Sequence, residues 1–168
     1  MSLFGTSGIR GDSEKLFTED FCINIGVAFV KFLESHDQQG AIAVGRDPRK
    51  SGPRIKEALF KGLSLSGTKI FDEGICPIPA MCWLQKQSDV AGTIMITGSH
   101  IAPQLNGLKF FAMDEEITKE HEKEIESIYN DLASKGDALR GWEGRNDITG
   151  ETRARELYKQ MLNALAWS

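Results

Sequence analysis

Apolar side chains follow two alternating spacings along this 168-residue chain. Where apolar residues return after three or four positions, the pattern predicts long helices with buried faces at Phe21–Phe32, Ile55–Leu63, Ile117–Leu132 and Ala154–Leu165. Where short apolar runs are closed by turn residues, it predicts buried strands at Ala41–Val44, Thr68–Phe71, Val90–Thr97 and Leu108–Ala112. A shorter helix is predicted around Ala80–Gln87. Strands that alternate with helices indicate an α/β layered domain with a mostly parallel sheet.

Polar and glycine-rich segments interrupt this pattern. Residues 1–16 are predicted to form a loop, and Thr18, which two acidic residues follow, is the predicted N-cap of the first helix. Residues 135–150 contain four glycines and have the composition of a linker. We therefore predict one domain over residues 1–150 and a separate last helix over residues 151–168.

Composition narrows the class of protein. The chain is 40% hydrophobic and 26% charged, as in globular domains. Its net charge of −4 argues against a general nucleic-acid binder. No run approaches the roughly 18 apolar residues of a membrane span, so we expect a cytoplasmic protein. Buried, reduced thiols are expected for Cys22, Cys76 and Cys82.

Three predicted loops follow the carboxyl ends of strands, where open α/β sheets hold their functional groups. They are residues 45–52, residues 72–79 and residues 97–109. In the third loop, Ser99 and His100 raise the possibility of a Ser-His hydrolase. Neighbouring side chains of an extended segment point to opposite sides, however, and the chain lacks a Gly-x-Ser-x-Gly turn. A serine that carries a phosphoryl group, with Arg10 and Lys109 as candidate cations, matches the residue types better.

Residue types alone also allow purely structural roles for these segments. Ser99 can be a helix or turn cap, and His100 can be a packed or solvated side chain. The segment Gly5–Gly11 resembles a phosphate-cradling loop in composition, but it can equally be a flexible N-terminus. The cluster of Arg46, Arg49, Lys50 and Arg54 can grip phosphate or form an ordinary basic turn.

Taken together, four patterns in order resemble the first domain of the α-D-phosphohexomutases, the family of phosphomannomutase, phosphoglucomutase and phosphoglucosamine mutase. They are Phe4–Gly11; Gly45-Arg46-Asp47 with Arg49 and Ser51; Asp72-x-Gly74 with Pro77-x-Pro79; and the segment Thr97–Lys109. The last segment is similar to the family's Thr-Ala-Ser-His-Asn-Pro loop with its Asn-Gly-x-Lys exit. The resemblance implies a three-layer α/β/α sandwich with a mostly parallel, mixed sheet.

The resemblance also implies a reaction and a site. In the family, a phosphoserine moves phosphate between the 1 and 6 positions of a hexose through a bisphosphorylated intermediate. Ser99 matches that serine, whose phosphate is also a Mg²⁺ ligand, and His100 matches the histidine after it. Arg10 and Lys109 match the cations beside the transferred group. The residues expected to bind substrate or phosphate are Thr6, Ser7, Asn106 and Arg46.

Two departures from the family pattern qualify the expectation. Gly98, Ile101 and Ala102 stand where the family more often has Ala, Asn and Pro, which predicts a more flexible loop. The family has four domains, and no Asp-Gly-Asp-x-Asp segment supplies the other Mg²⁺ ligands here. We therefore expect the N-terminal part of a mannose or glucose phosphate mutase, inactive alone, whose partners are hexose phosphates, hexose 1,6-bisphosphate and the remaining mutase domains.

The last predicted helix has an apolar face that nothing else in the sequence is predicted to cover. Its apolar face, Ala154–Leu165, is expected to open a second domain and to drive self-association if left uncovered. The alternative hypothesis is a stand-alone, non-catalytic phosphosugar-binding or interaction module.

Overall fold

A single sheet organises the computed structural model, which describes residues 2–65, 67–86, 89–136 and 147–166. Within these residues the sheet has seven strands in the order β1-β5-β4-β2-β3-β7, and β6 pairs with β5. The strands are β1 (Ile9–Asp12), β2 (Ala41–Arg46), β3 (Ile70–Ile75), β4 (Val90–Ile96), β5 (Leu105–Ala112), β6 (Glu115–Glu116) and β7 (Ile148–Gly150).

The sheet is parallel in its middle and antiparallel at one side. β2 pairs in parallel with both β3 and β4, whereas β5 is antiparallel to both β4 and β1. The central strands are buried on both faces, as their continuous apolar runs predict. The prediction of a loop over residues 1–16 was wrong for Ile9–Asp12, because those residues gain their strand pairing from the distant β5 rather than from an apolar pattern of their own.

Helices cover both faces of the sheet, which confirms the predicted three-layer α/β/α sandwich. Helices α1, α2 and α4 pack on one face, and α3 and α5 pack on the other. The helices are α1 (Glu19–Ser35), α2 (Gly52–Ser64), α3 (Ile78–Gln85), α4 (Lys119–Lys135) and α5 (Arg153–Ala166). Among the described residues, no helix has the length and apolar character needed to cross a membrane.

Local signals place the helix starts. Thr18 caps α1 by accepting a hydrogen bond from the backbone N–H of Phe21, which confirms the predicted cap. Thr118 caps α4 in the same way, and the side chain of His121 accepts a hydrogen bond from the N–H of Thr118 to complete a capping box.

The larger core lies between the sheet and the α1, α2 and α4 layer. Its centre is aromatic, with the ring centroids of Phe29 and Phe110 5.0 Å apart. Gly92 of β4 allows this packing, because a Cβ there would lie 2.8 Å from the ring of Phe29. The sheet therefore packs closely against α1.

The C-terminal segment packs onto the opposite face. β7 pairs with β3, and Ala154 at the start of α5 is fully buried. The predicted apolar face of the last helix is therefore covered at its beginning, where the backbone N–H of Ala154 donates to the buried carboxylate of Glu73. Farther along α5, Leu162 and Leu165 are exposed. The part of the predicted linker at 137–146 lies outside the described residues.

Candidate functional site

The three-layer packing brings two loops together at one edge of the sheet. β2 and β4 are parallel neighbours, so the turn after β2 and the loop after β4 emerge side by side. The loop after β4, residues 97–104, contains Ser99 and is called the serine loop below. β5 begins directly after it and returns antiparallel to β4.

Ser99 has an unusual backbone conformation within the serine loop. Its φ of 55° lies in the left-handed region, which few residues other than glycine adopt, and its side chain is exposed. Its Oγ lies 3.2 Å from Nδ1 of His100. The expectation that these neighbouring side chains point to opposite sides was wrong, because it assumed an extended segment and the chain turns sharply at Ser99. Strained conformations of this kind occur often at functional sites.

Asp47 and Arg49, in the turn after β2, hold the serine loop. The Asp47 carboxylate accepts hydrogen bonds from Thr97 Oγ1 at 2.9 Å and from the N–H of Gly98 at 3.1 Å. It also forms an ion pair with Arg49, whose Nε lies 3.1 Å from it. The guanidinium of Arg49 in turn donates to backbone carbonyls of the loop. These two side chains therefore fix the backbone on which Ser99 is carried.

Arg10 reaches the same edge from β1. It lies opposite Gly107 of β5, and the N–H of Thr97 donates to the carbonyl of Gly107. A Cβ on Gly107 would lie 3.2 Å from Cγ of Arg10, so the absence of a side chain there gives Arg10 room to cross β5. Arg10 is exposed and forms no ion pair with any described residue. A cation without a partner is thus placed near the base of the serine loop.

Lys109 lies on β5 opposite Met95 and is largely buried. Its Nζ is 3.4 Å from Oε1 of Glu116, and the same oxygen accepts a hydrogen bond from Ser7 Oγ at 2.7 Å. Half-buried Cys82 lies near this group, and burial raises the pKa of its thiol. The predicted residues Ser7 and Lys109 are therefore brought together by a carboxylate that the sequence did not single out.

Asn106 and Arg46 support the site from below. Asn106 is completely buried; its Nδ2 donates to Ser51 Oγ at 2.8 Å and its Oδ1 accepts from the N–H of Gly107 at 2.8 Å. Arg46 packs its side chain against Gly52 at the start of α2 and donates to the carbonyl of Asp47. Both side chains bond to the chain itself at the start of the loops, one layer beneath the exposed Ser99.

An open cleft of about 620 Å³ lies between the turn after β2 and the serine loop. Ser99 lines it together with Arg49, Lys50 and Pro103. Thr6 is exposed on the N-terminal segment, on the side where Ser7 meets Glu116. Ser99 and His100 therefore lie together in the serine loop, Arg10 lies on β1 opposite Gly107, and Ser7 and Lys109 form a second group farther along β5.

The carboxylate nearest to Ser99, that of Asp47, is not free to hold a metal ion. Both oxygens of Asp47 already accept hydrogen bonds within the chain. Among the described residues, no three His, Cys, Asp or Glu side chains are grouped so as to hold a metal ion. These residues by themselves do not fit a Mg²⁺ site, which requires about six oxygen ligands.

Comparisons with known proteins agree with this architecture. Residues 1–135 match the family model described as "Phosphoglucomutase/phosphomannomutase, alpha/beta/alpha domain I". The chain is 39% identical over 132 residues to a phosphoglucosamine mutase of Prochlorococcus marinus, covering 78% of this chain and 29% of that protein. It is 36% identical over 165 residues to a phosphoglucomutase/phosphomannomutase of Thermococcus kodakarensis, covering 97% and 35% respectively.

A solved structure gives the same result. The chain superposes on a phosphoglucomutase/phosphomannomutase family protein from Burkholderia thailandensis with a TM-score of 0.75 and 25% identity. The match covers 96% of this chain and 35% of that one. The chain therefore spans about a third of the length of the relatives it matches.

Proposed function

Since the chain belongs to the phosphoglucomutase/phosphomannomutase family through its α/β/α domain I, we propose that it carries the phosphoryl group of a hexose-phosphate mutase on Ser99. The observation that carries the proposal is the presentation of Ser99. Its hydroxyl is exposed at the carboxyl end of the central strand, on a left-handed turn that the rest of the loop holds in place. A serine that only capped a turn would not need this exposure.

The neighbouring groups suit phosphoryl transfer, which needs positioning and charge stabilisation more than an activated nucleophile. Phosphorylated Ser99 would bring a charge of roughly −1.5 to −2 to the loop. Arg10, which has no ion-pair partner among the described residues, is available to offset that charge. We place Lys109, paired with Glu116, as a second cation that a substrate phosphate would engage.

A hydroxyl oxygen of a hexose monophosphate attacks the phosphorus of phosphorylated Ser99, the bond from phosphorus to Ser99 Oγ breaks, and a hexose bisphosphate forms. The sugar hydroxyl gives up its proton to the surrounding water and Ser99 Oγ takes up one proton, so the step neither gains nor loses a proton overall. His100, with Nδ1 3.2 Å from that Oγ, is positioned to deliver it. The reverse step, from the other phosphate of the bisphosphate, restores phosphorylated Ser99 and completes the isomerisation.

The proposed substrate class is hexose 1- and 6-phosphates. The names of the relatives refer to glucose, mannose and glucosamine phosphates, so we add glucosamine to the mannose and glucose expected from the sequence. We propose that sugar recognition and the carboxylate ligands of Mg²⁺ lie in parts of the enzyme outside the described residues, because those residues do not fit a Mg²⁺ site alone.

Phosphate on Ser99 is the direct test. The purified chain is analysed by intact mass and peptide sequencing, as isolated and after incubation with glucose 1,6-bisphosphate and MgCl₂. We expect one phosphate on Ser99 of the wild type and none in Ser99→Ala, whereas Ser35→Ala at the exposed end of α1 keeps the label. A label that persists in Ser99→Ala, or a label that lies on another residue of the wild type, removes Ser99 from this role.

A further inference from the structure

The side chain of Arg49 is fully engaged by the serine loop. Its Nη1 donates to the carbonyls of Ala102 at 2.8 Å and Leu105 at 3.1 Å. Its Nη2 donates to the carbonyls of Ser99 at 3.1 Å and Ile101 at 2.7 Å. Its Nε donates to the Asp47 carboxylate. A guanidinium has five N–H donors, and all five are used here.

This arrangement excludes one role for Arg49 and indicates another. Because every donor already has an acceptor within the chain and the side chain is only 14% exposed, Arg49 is not free to bind a substrate phosphate. Four of its five acceptors are backbone carbonyls of Ser99 and of the residues that follow it. Charge-assisted hydrogen bonds from a planar fork are stronger and more directional than those of a lysine.

Gly98 is the structural complement of Arg49. A Cβ on Gly98 would lie 2.7 Å from Nη2 of Arg49 and closer still to Nε and Cζ. The guanidinium therefore lies flat against the backbone at Gly98, in space that an alanine methyl would occupy. Gly98 stands where the family loop more often has alanine. In this chain, the glycine leaves the space that the Arg49 guanidinium occupies.

We propose that Arg49 is the positioning residue of Ser99, and that it works only in combination with Gly98. By holding the carbonyls of Ser99 and Ile101, Arg49 offsets the cost of the left-handed conformation at Ser99 and keeps its hydroxyl presented to the cleft. The fork thus makes the loop rigid, although its glycine alone predicts flexibility. This proposal rests on the proposed function, because the phosphoryl-carrier role is what requires the Ser99 hydroxyl to face the cleft.

Amide hydrogen exchange of the full chain tests the inference at the loop itself. The reporters are the N–H of Ile101, which donates to Gly98, and the N–H of Leu105, which donates to Ala102. Arg49→Lys retains the charge but loses the fork, and Gly98→Ala displaces it. In each variant we expect the protection of both reporters to fall by about tenfold or more through local opening of the loop, whereas the core amides of β4 report only the change in global stability.

The double variant separates a specific lock from general destabilisation. A lysine side chain has no planar group that would clash with an alanine methyl. When Gly98→Ala is added to Arg49→Lys, the protection of the reporters should therefore fall by less than about twofold relative to Arg49→Lys alone. Arg153→Lys is the matched control, because Arg153 donates from both Nη1 and Nη2 to the carboxylate of Asp89 at the opposite end of β4, and it should leave the reporters unchanged.

Each outcome decides the inference. Protection that is unchanged in Arg49→Lys, or losses that simply multiply in the double variant, overturns it. The Ser99 phosphate assay decides the proposed function separately, since the exchange measurement needs no phosphorylation. A label that persists in Ser99→Ala, together with the coupled loss of protection, would refute the proposed function and retain the positioning role of Arg49.

Discussion

Replacing Asp47 by Asn tests how much the network beneath Ser99 contributes to stability. The side chain keeps its shape, but an NH₂ group replaces one carboxylate oxygen and the charge is lost. In the chain, one oxygen of Asp47 accepts from the N–H of Arg49 and the other from Arg49 Nε, Thr97 Oγ1 and the N–H of Gly98. Whichever way the amide turns, at least one donor faces another donor.

The magnitude follows from burial. Asp47 is 17% exposed and Arg49 is 14% exposed, so the pair is nearly but not wholly excluded from water. Removing one partner of a fully buried pair costs about 3–5 kcal/mol, and partial exposure places this pair at the lower end. We expect Asp47→Asn to lower the free energy of unfolding by about 3 kcal/mol.

Urea unfolding followed by circular dichroism measures this loss. With a slope of about 2 kcal/mol per molar, the midpoint should fall by about 1.5 M with an unchanged slope. Asp131→Asn makes the same chemical change in an exposed pair with Lys135 and should move the midpoint by less than about 0.3 M. Equal shifts in the two variants would refute the reasoning, because they would show that the Asp47 network contributes no more than a surface pair.

Three further predictions concern other parts of the chain. Burial raises the pKa of Glu73 above its ordinary value of 4.5, so the folded chain binds the carboxyl proton more tightly than the unfolded chain does. The contribution of Glu73 to the free energy of unfolding should therefore fall as the pH rises through the pKa of the folded state. Glu73→Gln should flatten that slope in urea unfolding measured at several pH values, and an unaltered slope would contradict the assignment. Iodoacetamide added to the folded chain should modify half-buried Cys82 before the buried Cys22 and Cys76, because burial raises the pKa of each of those two thiols to about 12. Peptide mass measured over time gives the order, and simultaneous modification of all three would contradict it. Gly107→Ala should destabilise the chain by about 1–3 kcal/mol in thermal unfolding, because its Cβ would lie 2.7 Å from the carbonyl oxygen of Thr97 and 2.8 Å from that of Ile9. An unchanged Tm would contradict this, since it would show that the backbone moves apart at no cost.

Much of the fold was predictable because its signals are local. The apolar run of β4 and the helical spacing of α1 each lie within about twenty residues, and the cap at Thr18 depends on a neighbour three residues away. β1 was missed because its four residues carry no apolar alternation and gain their structure from pairing with β5 about a hundred residues later. The burial of Ala154 depends likewise on the distant carboxylate of Glu73.

The candidate site divides in the same way. The types and spacing of Ser99, His100 and Lys109 allowed the resemblance to be stated from the sequence, and family membership is confirmed. Their roles remain predictions. Glu116 was missed because nothing in the pair Glu115–Glu116 marks which carboxylate meets Ser7 and Lys109; the pairing of β6 with β5 decides it.

The sequence by itself determined the order of the five helices and of β2 to β5, the layered fold class and the chemistry available in each loop, since periodicity and motif spacing are properties of neighbouring residues. Only the tertiary structure decided what Arg49 does. In the sequence it was one of four basic residues in a turn, equally suited to phosphate or to solvent. The parallel pairing of β2 with β4 carries it to a loop fifty residues away, where Gly98 leaves it space and four backbone carbonyls take up its charge.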